Sequence, residues 1–71
     1  MPMPERLDNR LKEIRSELGL TQAQLAETVS VTRKTINTVE NGVFVPSTLL
    51  ALKIARAVAR PVEQIFFISE G

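Results

Sequence analysis

Apolar residues recur along this chain at helical rather than strand spacing. Leu7, Leu11, Ile14 and Leu18 share one face of a helix predicted from about Pro4 to Leu18. Gly19 follows, where a left-handed residue would close that helix. Thr21-Gln22-Ala23-Gln24 reads as a capping box, with Thr21 as N-cap and Gln24 reaching back. It opens a short second helix, about Gln22 to Thr28, with Leu25, Ala26 and Val29 facing inward. After the break Val29-Ser30-Val31, Thr32 is a second N-cap. The third helix runs from Arg33 to about Asn41, buries Ile36 and Val39, and ends at Gly42. Val43-Phe44-Val45-Pro46 is a loop, and Ser47 caps a fourth helix through about Ala59, with Leu50, Ile54 and Val58 on one edge. Pro61 opens a last short helix, Val62 to about Phe67. The run Phe66-Phe67-Ile68 suits either a helix end or a strand. The pattern predicts an all-α fold, a five-helix bundle.

Composition narrows the function. The 71 residues suit a single domain, 1–71, and 44% apolar with 24% charged residues is an ordinary globular balance. Nine Lys and Arg against eight Asp and Glu leave a net charge of +1, so any electrostatic case rests on where the charges sit. The chain has no Cys and no His. That removes disulfides, thiol nucleophiles, the usual general base and the commonest metal ligands. No enzyme activity, cofactor or metal is expected. No stretch approaches the roughly 18 apolar residues of a membrane span. The start, Met1 to Arg6, lacks the apolar core of a signal peptide. The expectation is a cytoplasmic protein without membrane contact.

Two short helices joined by a few residues, each with its own cap, form a helix-turn-helix arrangement. A bare helical corner would share that outline. The third helix distinguishes the two. With Ile36 and Val39 inward, Arg33, Lys34, Asn37, Thr38 and Asn41 lie outward, with Thr35 nearby and no acid before Glu40. A solvated helix face usually mixes both charge signs, whereas this one suits an anionic partner.

The strings Leu18-Gly19-Leu20-Thr21-Gln22, Leu25-Ala26, Val31-Thr32-Arg33-Lys34-Thr35-Ile36, Val39-Glu40-Asn41-Gly42 and Pro46-Ser47 carry a family resemblance. Together with Leu52 to Val58 and Glu63 to Phe66, they resemble the Cro and phage-repressor type helix-turn-helix domain, the XRE family. The resemblance covers about residues 7 to 68. It implies a lambda-repressor-like DNA-binding fold, with double-stranded DNA as partner and helix 33–41 in the major groove. It also implies that Arg33, Lys34 and Thr38 reach base edges, and that Gln22 and Asn41 clamp phosphates with Thr32 and Thr35 nearby. Asn37 could serve either role. The sequence departs from the family at Ser30 and Ala59, where Gly is usual, at Pro61, where Ser is usual, and at Leu49, often polar. A non-Gly residue at a left-handed position costs roughly 1 kcal/mol, so a reshaped turn is expected at Ser30.

Two further expectations follow. Arg15 and Glu40 each border an apolar stripe, and the resemblance sets them against each other as a structural salt bridge. Phe67 and Ile68 have no evident place in a monomer core, and Leu49 adds to the leftover apolar surface. Residues 66–71 are therefore a candidate dimerisation tail of a homodimer. Strand pairing of 66–69 across the dimer axis and folding back onto the first helix are both open. The reading is a transcriptional regulator, a repressor acting on an inverted-repeat operator, with no small-molecule effector. The alternative is a protein-interaction module on the same fold, such as an antitoxin or adaptor.

Overall fold

The computed structural model describes residues 5–70. In chain order it has strand β1 (Glu5–Asn9), helices α1 (Leu11–Glu17), α2 (Gln22–Thr28), α3 (Arg33–Glu40), α4 (Thr48–Val58) and α5 (Val62–Ile65), and strand β2 (Phe66–Glu70). Helices α2 to α5 stand within a residue or two of where the sequence pattern places them. The fold is not all-α, because β1 and β2 form an antiparallel two-stranded sheet.

The sheet corrects both ends of the sequence reading. The helix expected from about Pro4 starts only at Leu11, and Glu5–Asn9 is extended; Pro4 itself and Gly71 lie outside the described residues. Leu7 still packs against the core, from a strand rather than a helix. Leu18, expected on the buried stripe, is 47% exposed just past the end of α1. The physical reason is that β1 finds its hydrogen-bond partner at the far end of the chain, a pairing that local periodicity does not encode. Asn9 then marks the change from strand to helix. Its Oδ1 accepts from Leu11 N at 3.1 Å, and so satisfies one of the free N–H groups of the first turn. The next residue closes the layout, with Arg10 N donating to Ile65 O at 2.8 Å.

The core is formed by Leu11, Leu25, Ile36, Val39, Ile54 and Ile65, all essentially inaccessible, with one buried face of each helix contributing. Thr21, Thr32 and Ser47 cap α2, α3 and α4, each accepting from a backbone N–H three residues on. Four helices end alike. The donor pairs Gly19 and Leu20, Ser30 and Val31, Gly42 and Val43, and Ala59 and Arg60 bond back to the last turns of α1, α2, α3 and α4. These are Schellman closures, which need a left-handed residue. Ser30 (φ 60°) and Ala59 (φ 56°) take that conformation as the two glycines do. The turn at Ser30 is thus not reshaped by the missing Gly. Among the described residues no helix is long and apolar enough to cross a membrane.

Candidate nucleic-acid interface

The helix-turn-helix unit is fixed from both sides. Thr21 accepts from Gln24 N at 3.0 Å while Gln24 Oε1 accepts from Thr21 N at 2.8 Å, so α2 starts with a complete capping box. Val31 N donates to Ala26 O at 2.9 Å across the turn, and Ala26, only 2% exposed, faces the core. Thr32 then caps α3 through Thr35 N. Its hydroxyl lies 3.1 Å from that of Thr35. Both threonines expected near the phosphates are therefore engaged with each other at the start of α3.

On α3 the acid and the bases part company. Arg33 and Lys34 are exposed in the first turn and, among the described residues, join no ion pair. Glu40 turns inward, its side chain 2% exposed, and accepts from Arg15 Nε at 2.6 Å and Nη2 at 3.3 Å. Arg15, 12% exposed, also donates through Nη1 to Leu20 O at 2.7 Å. Arg15 and Glu40 are thus brought together, and α1, α3 and the segment before α2 meet at one buried pair. A charge buried in this way needs partners, and here each has them.

The pair continues outward as a chain of amides. Gln22 Nε2 donates to Glu40 Oε1 at 3.0 Å and to Asn37 Oδ1 at 3.2 Å. Asn41 Nδ2 donates to the same Asn37 oxygen at 3.3 Å. Gln22, Asn37 and Asn41, expected at phosphates or in mixed contacts, form one connected row. Thr38 is half-buried and donates its hydroxyl hydrogen to Thr35 O at 2.9 Å. Its methyl group and oxygen lone pairs remain for a partner.

Of the three residues expected at a dimer interface, two stay largely exposed and one is half-buried. Leu49 is 64% and Ile68 68% exposed. Phe67 has a place in the monomer after all. It pairs with Asp8 in the sheet, is half-buried, and carries the Arg10 guanidinium 4.9 Å from its ring centroid. Successive strand residues face opposite sides, so Phe67 and Ile68 point apart. Of the two arrangements left open for residues 66–69, strand formation is what the structure has, with β2 pairing along one edge with β1 of its own chain.

Two contributors escaped the sequence reading. Asn9 donates through Nδ2 to Val39 O at 2.9 Å and ties β1 to the end of α3. Val43 and Phe44 line a shallow groove with Lys34, Thr35 and Thr38, and Val43 is 77% exposed. The signal for the second was present, since an apolar run in a loop directly after α3 is unusual. Nothing local points to Asn9.

A family model described as a helix-turn-helix domain matches residues 9–66. The chain belongs to the helix-turn-helix family. It is of the XRE type, a non-enzymatic class. The uncharacterized HTH-type transcriptional regulator YgzD of Bacillus subtilis is 45% identical over 64 residues, covering 90% of this chain and 97% of that one. An uncharacterized HTH-type transcriptional regulator of Methanothermobacter thermautotrophicus is 52% identical over 61 residues, 84% of this chain and 88% of its own. Among solved structures, the restriction-modification controller protein C.AhdI of Aeromonas hydrophila superposes with a TM-score of 0.74 at 33% identity, over 78% of this chain and 83% of its own. A Bacteroides fragilis protein shares the fold at TM-score 0.79 and 24% identity, over 86% of this chain and 98% of its own. The helix-turn-helix match stops within the sheet, leaving Glu5 to Asp8 and the residues after Phe66 outside it.

Proposed function

We propose that this helix-turn-helix protein is a sequence-specific DNA-binding transcriptional regulator, a repressor that lays α3 in the major groove of an inverted-repeat operator as a homodimer. One observation carries the reading. The single acid of α3 is withdrawn into the Arg15 pair, so the outward face of the helix keeps Arg33 and Lys34 uncompensated. The free backbone N–H groups and positive dipole end of α3 lie at the same place. In this pose Arg33 pairs with guanine O6 and N7, and Lys34 meets a neighbouring guanine or a phosphate. Thr38 offers its methyl group to a thymine or its oxygen to a base amino group. Asn41 keeps one amide hydrogen for a phosphate. Both side-chain donors of Gln22 are engaged within the protein, so Gln22 meets phosphate through its backbone N–H at the start of α2.

Dimer formation is supported by the apolar surface left open. Leu49, Leu52 (53% exposed) and Ile68 are exposed together with the loop residues Val43 and Val45. A two-fold contact would remove Leu52 and Ile68 from water, and half-sites would then lie about one helical turn, roughly 34 Å, apart.

The test is binding of the purified chain to random-sequence duplex over a salt series, followed by enrichment of the bound duplexes. The reading expects weak binding that falls steeply with salt and an enriched inverted repeat. Binding indifferent to salt, with no enriched motif, favours the interaction-module alternative.

A further inference from the structure

The row Arg15–Glu40–Gln22–Asn37–Asn41 has a direction. A carboxylate has no hydrogen to give, so Glu40 accepts along its whole inner edge. Its Oε1 lies 3.0 Å from Gln22 Nε2, which obliges the Gln22 amide to turn its NH2 group inward. The second hydrogen of that NH2 points to Asn37, whose oxygen answers it at 3.2 Å. Reversing the Asn37 amide would set two NH2 groups face to face, both against Gln22 and against Asn41 Nδ2, which also lies on that oxygen at 3.3 Å. The orientation of Asn37 is therefore dictated from the buried ion pair outward. Its oxygen is occupied, and its NH2 group is what it presents from the exposed face of α3.

We infer that Asn37 is an obligate hydrogen-bond donor on the DNA-facing surface, with Gln22 as the positioning residue that holds its polarity. This rests on the proposed DNA reading. An asparagine free to turn can grip adenine through both N6 and N7. Asn37 lacks the free oxygen for that contact. The group it meets on DNA is an acceptor, either a base atom (purine N7, guanine O6 or thymine O4) or a phosphate oxygen. The buried pair then does more than join α1 to α3, because it sets the hydrogen-bond sign of a surface residue two side chains away. It does so without moving the backbone.

The experiment has a free-protein arm and a DNA arm. In the DNA-free protein, side-chain amide NMR should show the Gln22 NH2 protons exchanging with water more slowly than those of Asn37. The reverse order overturns the inference. For DNA, the probes are the duplex enriched by the parent protein and its single-base variants, bound by the parent, Asn37→Ala and Gln22→Met. Both variants should lose about 2- to 10-fold, the scale of one hydrogen bond. They should lose it at the same DNA position. If the acceptor is a base, both flatten the preference at one base pair, and a base analogue lacking that acceptor (7-deazapurine for N7, 2-aminopurine for guanine O6, 5-methyl-2-pyrimidinone for thymine O4) abolishes the difference between parent and Asn37→Ala. If it is phosphate, a single methylphosphonate abolishes that difference instead. Gln22→Met that weakens every duplex alike while the Asn37 position keeps its full preference overturns the positioning role. Selection of adenine through N6 and N7 at the Asn37 position overturns the donor assignment. Parent protein that binds no duplex overturns the DNA reading itself, whereas binding unchanged by Asn37→Ala overturns only this inference.

Discussion

Ser30 and Ala59 hold left-handed backbone, φ 60° and 56°, at helix ends where glycine carries no steric penalty. Replacing either by Gly removes strain of roughly 1–2 kcal/mol and returns part of it as chain entropy. Each substitution should therefore stabilise by about 1 kcal/mol, a rise of about 4–8 °C in Tm for a domain of this size. The converse changes, Gly19→Ala and Gly42→Ala, should destabilise even though an added Cβ would meet nothing within 4 Å at either site. Thermal denaturation of the four variants separates backbone strain from packing. Arg15 and Glu40 pose a different problem, because both charges are withdrawn from water. Glu40→Ala leaves the Arg15 guanidinium buried without its counter-charge and should cost about 3–5 kcal/mol. A melting point within a degree or two of the parent would show that the pair carries no such weight. The charges were legible in the sequence from their position at the edges of apolar stripes, and the resemblance named them as partners. Their amide neighbours were not legible as a connected row. Gln22 and Asn37 belong to different helices, and no spacing rule relates them.

Elements joined by local signals agree with the sequence, and the one joined across the chain does not. Caps at Thr21, Thr32 and Ser47, with closures at Gly19 and Gly42, mark helix ends that the sequence places within a residue or two. The strand at Glu5–Asn9 was hidden because Leu7 happens to continue the spacing of Leu11 and Ile14, and only β2 supplies its partner. Asn9 then fastens this sheet to α3 through Val39 O. Asn9→Ala loses that bond and the one to Leu11 N, at about 1–3 kcal/mol in total. Amide exchange should rise first in β1 and at the start of α1. Protection unchanged there would mean that the sheet holds without this tether. The far end of the sheet is its weak point, since Glu5 faces Glu70 across the ladder and like charges directly opposite are destabilising.

Leu52 and Ile68 stay more than half exposed in the monomer, so sedimentation at tens of micromolar should return a dimer mass, and Leu52→Lys should shift it toward the monomer. A monomer mass for the parent would remove the two-fold operator from the account. The sequence exposed this surplus of apolar residues but did not foresee that Phe67 is half-buried within its own chain. The guanidinium of Arg10 over its ring comes from the strand-to-helix corner that the sequence did not predict. The central claim, that α3 reads base edges, is tested most directly by comparing parent and Arg33→Ala on the enriched operator and all its single-base variants. The account predicts a loss of about 1–3 kcal/mol together with relaxed preference at one base pair per half-site. Equal weakening on every variant would make Arg33 a phosphate contact and contradict it.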